Sequence, residues 1–174
     1  MNIIAVLNPE HLTDASVAGF SLRRAARAVV RDAQGRVALL HVSKCSYYKL
    51  PGGGLEGDED VARALARECR EEIGCELSVG AAIGEIVEYR AKFRLKQISY
   101  CYHATVVGEK RSPDFTPSEI EEGFAIIWVP AEEAVRLVAE STPTDYHGSF
   151  IVERDAAFLR AAFGMPPPEP KKDY

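Results

Sequence analysis

Apolar residues recur along the chain with two periods, and the switches between them delimit its elements. A short apolar run, Ile3 to Leu7, predicts a strand, followed by a polar connection containing Asn8, Pro9 and Thr13. Ala25–Arg31 and Arg36–Val42 are β-like runs separated by Asp32-Ala33-Gln34-Gly35, a hairpin signal because Gly35 accepts a positive φ. Tyr47–Leu50 predicts a third short strand, ended by Pro51. At Asp58 the period changes: Val61, Leu65 and Cys69, with Ala62, Ala66 and Ile73, form a stripe at i, i+4 spacing and predict a helix over Asp58–Ile73. Asp58, Glu59 and Asp60 crowd its first turn, where the helix dipole favours negative charge, and Gly74 supplies the stop.

Beyond this helix the period returns to two. Ile86–Arg94 places Val87, Tyr89, Ala91 and Phe93 on one face and Glu88, Arg90, Lys92 and Arg94 on the other; Ile98–Val107 alternates in the same way. Arg111–Glu122 reads as a polar loop and Phe124–Val129 as a buried strand. Pro130 opens a helix to about Glu140, and Ser149–Phe163 is a last helix. Strands mixed with three helices predict one α/β domain with a central mixed sheet over residues 21–164. Residues 1–20 precede it as a strand and connection, and the proline-rich tail 165–174 is expected to be disordered.

Composition narrows the function. The 174 residues hold 21 Lys+Arg against 26 Asp+Glu, a formal charge of −5, with 47% hydrophobic residues. That acidity disfavours a grip on long nucleic acid, which needs a concentrated positive footprint. No run approaches the roughly 18 apolar residues that span a bilayer, and the apolar start is too short for a signal peptide. Cys45, Cys69, Cys75 and Cys101 form no Cys-x-x-Cys pair, which suits free thiols in a reducing cytoplasm.

The chemistry concentrates in Leu50-Pro-Gly-Gly-Gly-Leu-Glu-Gly-Asp-Glu59 and Arg67-Glu68-Cys69-Arg70-Glu71-Glu72-Ile73-Gly74. Glu68, Glu71 and Glu72 stand at i, i+3 and i, i+4 spacing near a helix C-terminus, a doubly unfavourable placement for negative charge. Such an arrangement calls for a positive partner, and hard oxygens in a cluster suit Mg²⁺ or Mn²⁺. Arg63, Arg67 and Arg70 are alternative partners within the same helix, which would make the glutamates a solvated, salt-bridged face.

Gly53, Glu59, Arg67-Glu68, Glu71-Glu72 and Gly74, at their spacing, resemble the Nudix box at every fixed position; Cys69 and Cys75 depart from it at two apolar positions. The resemblance is to the Nudix hydrolases and implies an α/β/α sandwich whose loop–helix–loop binds Mg²⁺ (or Mn²⁺) on the diphosphate of a nucleoside diphosphate linked to a group X. It implies Gly53, Glu68, Glu71 and Glu72 as metal ligands and Glu68 or Glu71 as the group that activates water. Arg67 and Glu59 would brace the box, with Glu59 orienting Glu68 through Arg67. Some members take the base from outside the box, which makes Glu119, Glu121 and Glu122 candidates.

The substrate expected is a small nucleotide or nucleotide-derived diphosphate, first a nucleoside triphosphate, oxidised ones included, and next a sugar nucleotide or dinucleoside polyphosphate. No proline lies between Gly74 and Ser112, which lowers an ADP-ribose assignment. Tyr47, Tyr48, Tyr100 and Tyr102 are candidates for stacking on a base, and Arg90, Lys92, Arg94 and Lys96 form the one basic stripe. A non-catalytic ligand-sensing domain is the alternative of another class; it would be expected to have lost box glutamates, and all are kept. The resemblance allows a homodimer without requiring one.

Overall fold

A computed structural model describes residues 1–166. In chain order the elements are β1 (Ile3–Leu7), α1 (Asp14–Val17), β2 (Ser21–Arg31), β3 (Val37–Val42), β4 (Tyr47–Lys49), α2 (Val61–Ile73), β5 (Glu76–Arg90), β6 (Leu95–Val107), α3 (Pro117–Glu121), β7 (Phe124–Val129), α4 (Ala131–Ala139) and α5 (Tyr146–Ala162). The strands form one mixed sheet in the order β1-β5-β6-β2-β3-β4, with β7 on the other side of β3. β2 runs parallel to β6 along its full length, whereas it meets β3 at a single rung, Arg31 opposite Val37. Asp32 closes that turn by accepting from the backbone of Gln34 and Arg36. Past the rung the sheet forks, and β3 pairs with β4 and β7 instead.

The fork leaves one edge of β2 open, and the glycine loop after β4 fills it. Ala28 N donates to Pro51 O at 3.1 Å, Ala26 N to Gly53 O at 2.9 Å, and Leu55 N to Arg24 O at 3.0 Å. Gly52 makes the close approach feasible: its φ is +124°, and a Cβ there would collide with the Ala26 carbonyl.

Helices cover both faces, giving an α/β/α sandwich. Ala26, Ala28 and Val30 of β2 face α2 together with Ala38, Leu40, Leu65, Cys69 and Ile73. The alanines let α2 lie close to the strand; a larger residue at Ala28 would overpack the layer at a cost of about 1–3 kcal/mol. On the opposite face Val29, Leu39, Ile86 and Cys101 meet Ala134 and Val138 of α4 and Phe150, Phe158 and Leu159 of α5. Each fully buried aliphatic or aromatic side chain contributes about 1.5–3 kcal/mol relative to exposure.

Several element boundaries differ from the sequence expectation. β5 begins at Glu76 rather than Ile86, because register shifts between Val79 and Gly84 hide its period. It ends at Arg90, where a tight turn over 91–93 and a positive φ at Arg94 (48°) break the alternation expected to run through residue 94. α3 occupies part of the expected 111–122 loop, too short to show a helical period but held by a Thr116–Glu119 capping box. α5 starts at Tyr146, capped by Asp145, and α2 at Val61, capped by Asp60. With α1, the helices number five among the described residues rather than three. Cys69, Cys75 and Cys101 are buried free thiols, and Cys45 is partly exposed. No helix among the described residues is long and apolar enough to cross a membrane. The proline-rich tail lies outside the described residues from position 167 on.

Candidate active site

The site is assembled from the glycine loop on β2 and the last two turns of α2. Along α2 the buried positions are Ala64, Leu65, Cys69, Glu72 and Ile73, so one of the three box glutamates points inward with the core stripe. Glu68 is mostly covered, and Glu71 is half exposed. The three are therefore graded in burial rather than spread along one solvated face.

Arg67 organises the two outer carboxylates. Its Nε and Nη2 donate to both oxygens of Glu59 at 3.0 Å, and Nη2 also reaches Gly54 O at 2.9 Å. Nη1 donates to Glu68 at 2.9 Å and to Glu71 at 3.4 Å. The planar fork matches this set of acceptors as an ammonium could not. Its bidentate hydrogen bonds bring the Glu59 carboxyl down to about 2, and the same bonds push Arg67 up. Arg70, by contrast, pairs with Glu76 at 2.8 Å and takes no part.

Gly53 supplies the seat for Glu68. A Cβ at residue 53 would occupy the space of the Glu68 carboxylate, so a side chain and that carboxylate exclude each other. Glu72 is held differently: Lys49 Nζ lies 2.7 Å from one oxygen and Gly52 N donates to the other at 2.6 Å. Burial pushes the Glu72 carboxyl up, and Lys49 and the Gly52 amide oppose that shift. The positive partners that the glutamate spacing called for thus exist in the chain, as Arg67 and Lys49.

Glu68, Glu71, Glu72 and the Gly53 carbonyl are hard oxygen donors of the kind Mg²⁺ and Mn²⁺ prefer. The side-chain-free cradle at Gly53, with a carboxylate facing it, fits such an ion. Among the described residues no three His, Cys, Asp or Glu groups are gathered closely enough to enclose a metal, consistent with Glu68 and Glu72 being turned to Arg67 and Lys49.

A groove of about 430 Å³ opens over these groups, lined by Arg23, Arg27 and Lys49 as well as Gly53, Glu68, Glu72 and Glu119. Arg23 and Arg27 also wall a second depression of about 360 Å³ that contains Arg90, Arg154, Gln97, Tyr47 and His147. Behind it runs a polar row across three strands: exposed Arg23 of β2 lies opposite buried Gln97 of β6, which lies opposite buried Glu88 of β5. Glu88 is fully buried and accepts from Arg90, Gln97, Ser99 and Arg154. Arg154 also donates to Asp155 at 2.7 Å, and Asp155 accepts from Leu50 N at 2.8 Å, which fixes the start of the glycine loop. Burial, with Arg154 beside it, brings the Arg27 guanidinium down to about 10.

This second depression was not visible in the sequence. The alternation in β5 marks Glu88 and Arg90 as an outward polar face, but α5 covers that face and both are buried. The expected basic stripe is accordingly not continuous. Arg90 is an interior ion-pair partner, Lys92 lies over Phe93 and Tyr146, Arg94 over Phe20, and Lys96 over Tyr89. Of the acids outside the box, Glu119 lines the groove but accepts from Thr116 N and Oγ1. Glu121 pairs with exposed Lys44, and Glu122 borders the second depression. Tyr47 is buried against that depression and Tyr48 stacks on His41, with ring centroids 4.5 Å apart. Tyr102 packs partly buried on the α2 side.

The chain matches the NUDIX domain over residues 21–148 and belongs to the Nudix family. Its fold is shared with the MutT protein from Methanosarcina mazei Go1, at a TM-score of 0.58 and 22% identity, covering 84% of this chain and 96% of that one. It is shared also with a MutT Nudix hydrolase from Burkholderia pseudomallei, at a TM-score of 0.53 and 23% identity, covering 77% and 98%. A curated relative, the RNA pyrophosphohydrolase of Acidiphilium cryptum (strain JF-5), is 31% identical over 96 residues. That match takes in 55% of this chain and 51% of the relative, so the chain spans about half the relative's length.

Proposed function

We propose that the chain hydrolyses a phosphoric anhydride bond in a small nucleotide, with a nucleoside triphosphate as the first expectation and sugar nucleotides or dinucleoside polyphosphates as the next. The observation that carries this reading is the seating of Glu68 against Gly53 by an arginine that also grips Glu59 and Gly54. A carboxylate held this way can receive a proton from a water aimed at phosphorus. In the reaction that water's oxygen bonds to phosphorus, the anhydride P–O bond breaks, and the departing phosphate carries away the electron pair. The proton goes to Glu68, with half-exposed Glu71 as the neighbouring acceptor, and Arg67 keeps both carboxylates in place.

Glu68, Glu71, Glu72 and the Gly53 carbonyl would hold Mg²⁺ or Mn²⁺, whose charge offsets that of the phosphates and makes water a better acid. The proteins whose names accompany the fold and sequence matches include an RNA pyrophosphohydrolase, an ADP-ribose pyrophosphatase from Streptococcus suis 89-1591 and a UDP-X diphosphatase. Those names share anhydride hydrolysis and differ in substrate, which supports the reaction type and leaves the choice of nucleotide to experiment. Three buried free thiols support a reducing cytoplasmic setting.

The test is turnover of a panel of nucleoside triphosphates, sugar nucleotides, dinucleoside polyphosphates and 5′-triphosphate RNA with Mg²⁺. Chelation by EDTA and, separately, Glu68→Gln should each abolish hydrolysis while circular dichroism stays unchanged. Undiminished turnover in either case would overturn the mechanism, and binding of a nucleotide without any hydrolysis would favour a sensing domain.

A further inference from the structure

Two arginines in the groove make no ion pair with any carboxylate among the described residues, although Glu68 and Glu72 line the same groove. Of the four that wall the second depression, Arg90 is paired with Glu88, and Arg154 with Asp155 and Glu88. Arg23 and Arg27 form no ion pair among the described residues. Arg23 donates only to Gln97, and Arg27 only to the carbonyl of its neighbour Ala26. Arg27 is 5% exposed, and its Nε meets no hydrogen-bond partner among the described residues; nor does Nη2 of Arg154. Asp145 and Glu122 also border the depression, but Asp145 accepts from the first amides of α5, and neither carboxylate reaches Arg23 or Arg27. A buried guanidinium with one neutral acceptor is costly to the fold, and Arg27 lies in the strand that carries the whole site. Its position is equally specific: Arg23 and Arg27 stand at i, i+4 on one face of β2, shared by both depressions, and Arg23 Nη2 hangs over Gly54.

We propose that Arg23 and Arg27 form an anion clamp that takes a phosphoryl group of the substrate beyond the linkage cleaved at the glutamates. The substrate would then carry at least three linked or separate phosphoryl charges, as a nucleoside triphosphate does, rather than a neutral group X in this position. This rests on the hydrolase reading for its biological meaning, but the clamp can be tested without catalysis.

Inorganic tripolyphosphate, titrated by calorimetry into the metal-free protein in EDTA, is expected to bind. Arg23→Gln and Arg27→Met should each weaken it by about tenfold or more, as loss of a charged hydrogen-bonding partner does. Arg24→Gln, on the opposite face of β2, should leave it unchanged. Adenosine, which lacks phosphate, should not compete. Arg27→Met should also hold or raise Tm, because it removes an unpaired buried charge; a structural arginine would lower Tm instead. Tripolyphosphate binding that survives both arginine substitutions, or an Arg27→Met protein that loses stability, overturns the clamp. Retained, arginine-dependent binding alongside absent hydrolysis overturns the hydrolase reading alone.

Discussion

The carboxylate of Glu68 occupies the space in which a side chain at Gly53 would begin. The clash is with the end of a flexible side chain, so a methyl group there displaces the carboxylate rather than the backbone. Gly53→Ala should therefore fold with a Tm close to that of the wild type while losing about 10²-fold or more in kcat, the order expected for misplacing a reacting group by an ångström. Steady-state kinetics beside a thermal melt separate the two effects; a fully active Gly53→Ala would show that Glu68 does not act from this seat.

Arg67 ties Glu59, Gly54, Glu68 and Glu71 together through one planar group. Arg67→Lys keeps the charge and loses the fork. It should lower kcat by about 10–100-fold, as loss of an orienting partner commonly does, with little change in KM. An equal fall in binding of substrate would point to a direct substrate contact instead.

Lys49 and Glu72 are a nearly enclosed pair, 2.7 Å apart. Lys49→Met leaves a buried carboxylate without its cation and should cost about 3 kcal/mol in EDTA. If Glu72 is a metal ligand, Mg²⁺ should restore more stability to Lys49→Met than it adds to the wild type. Equal Mg²⁺ effects in thermal unfolding would remove Glu72 from the ligand set.

Asp32 sets the pH dependence of the turn at the fork. Burial alone would raise its carboxyl, but hydrogen bonds from Lys110, from the Arg36 side chain and from the amides of Arg36 and Gln34 outweigh it and hold the group well below the usual carboxylate range. A carboxyl lowered on folding contributes stability that is complete above its unfolded pKa of about 3.9 and is lost as pH falls through the folded value. Asp32→Asn should cost about 1–3 kcal/mol at pH 7. It should also flatten the acid decline in Tm below about pH 4; a decline parallel to the wild type would mean that other groups cause it.

The outer half of the site was legible because its information is local. Gly53, Glu59, Arg67, Glu68 and Glu71 lie within one loop and one helix, where spacing along the chain fixes direction in space, and the layers of the sandwich were expected from the family resemblance that the same residues carry. The burial of Glu72 was hidden, since nothing local shows that Lys49 lies opposite it. The arginine-lined depression was hidden for a stronger reason. Glu88 and Arg154 are 66 residues apart, and a period-two pattern marks a polar face as solvent unless a later helix covers it. α5 is that helix, and with Arg154 and Asp155 among its buried positions it offers no clean amphipathic stripe to announce the fact.

The glycine loop completes the vacated edge of β2 through main-chain amides alone. Every residue type except proline carries that amide, so the register between loop and strand is indifferent to which side chains line the groove. Positions 23 and 27, which form no ion pair among the described residues, can in principle be exchanged while the seat of Glu68 stays where it is. The fork thereby separates two tasks: main-chain bonds hold the loop that seats Glu68, and the side chains of one strand face shape the depression beside it.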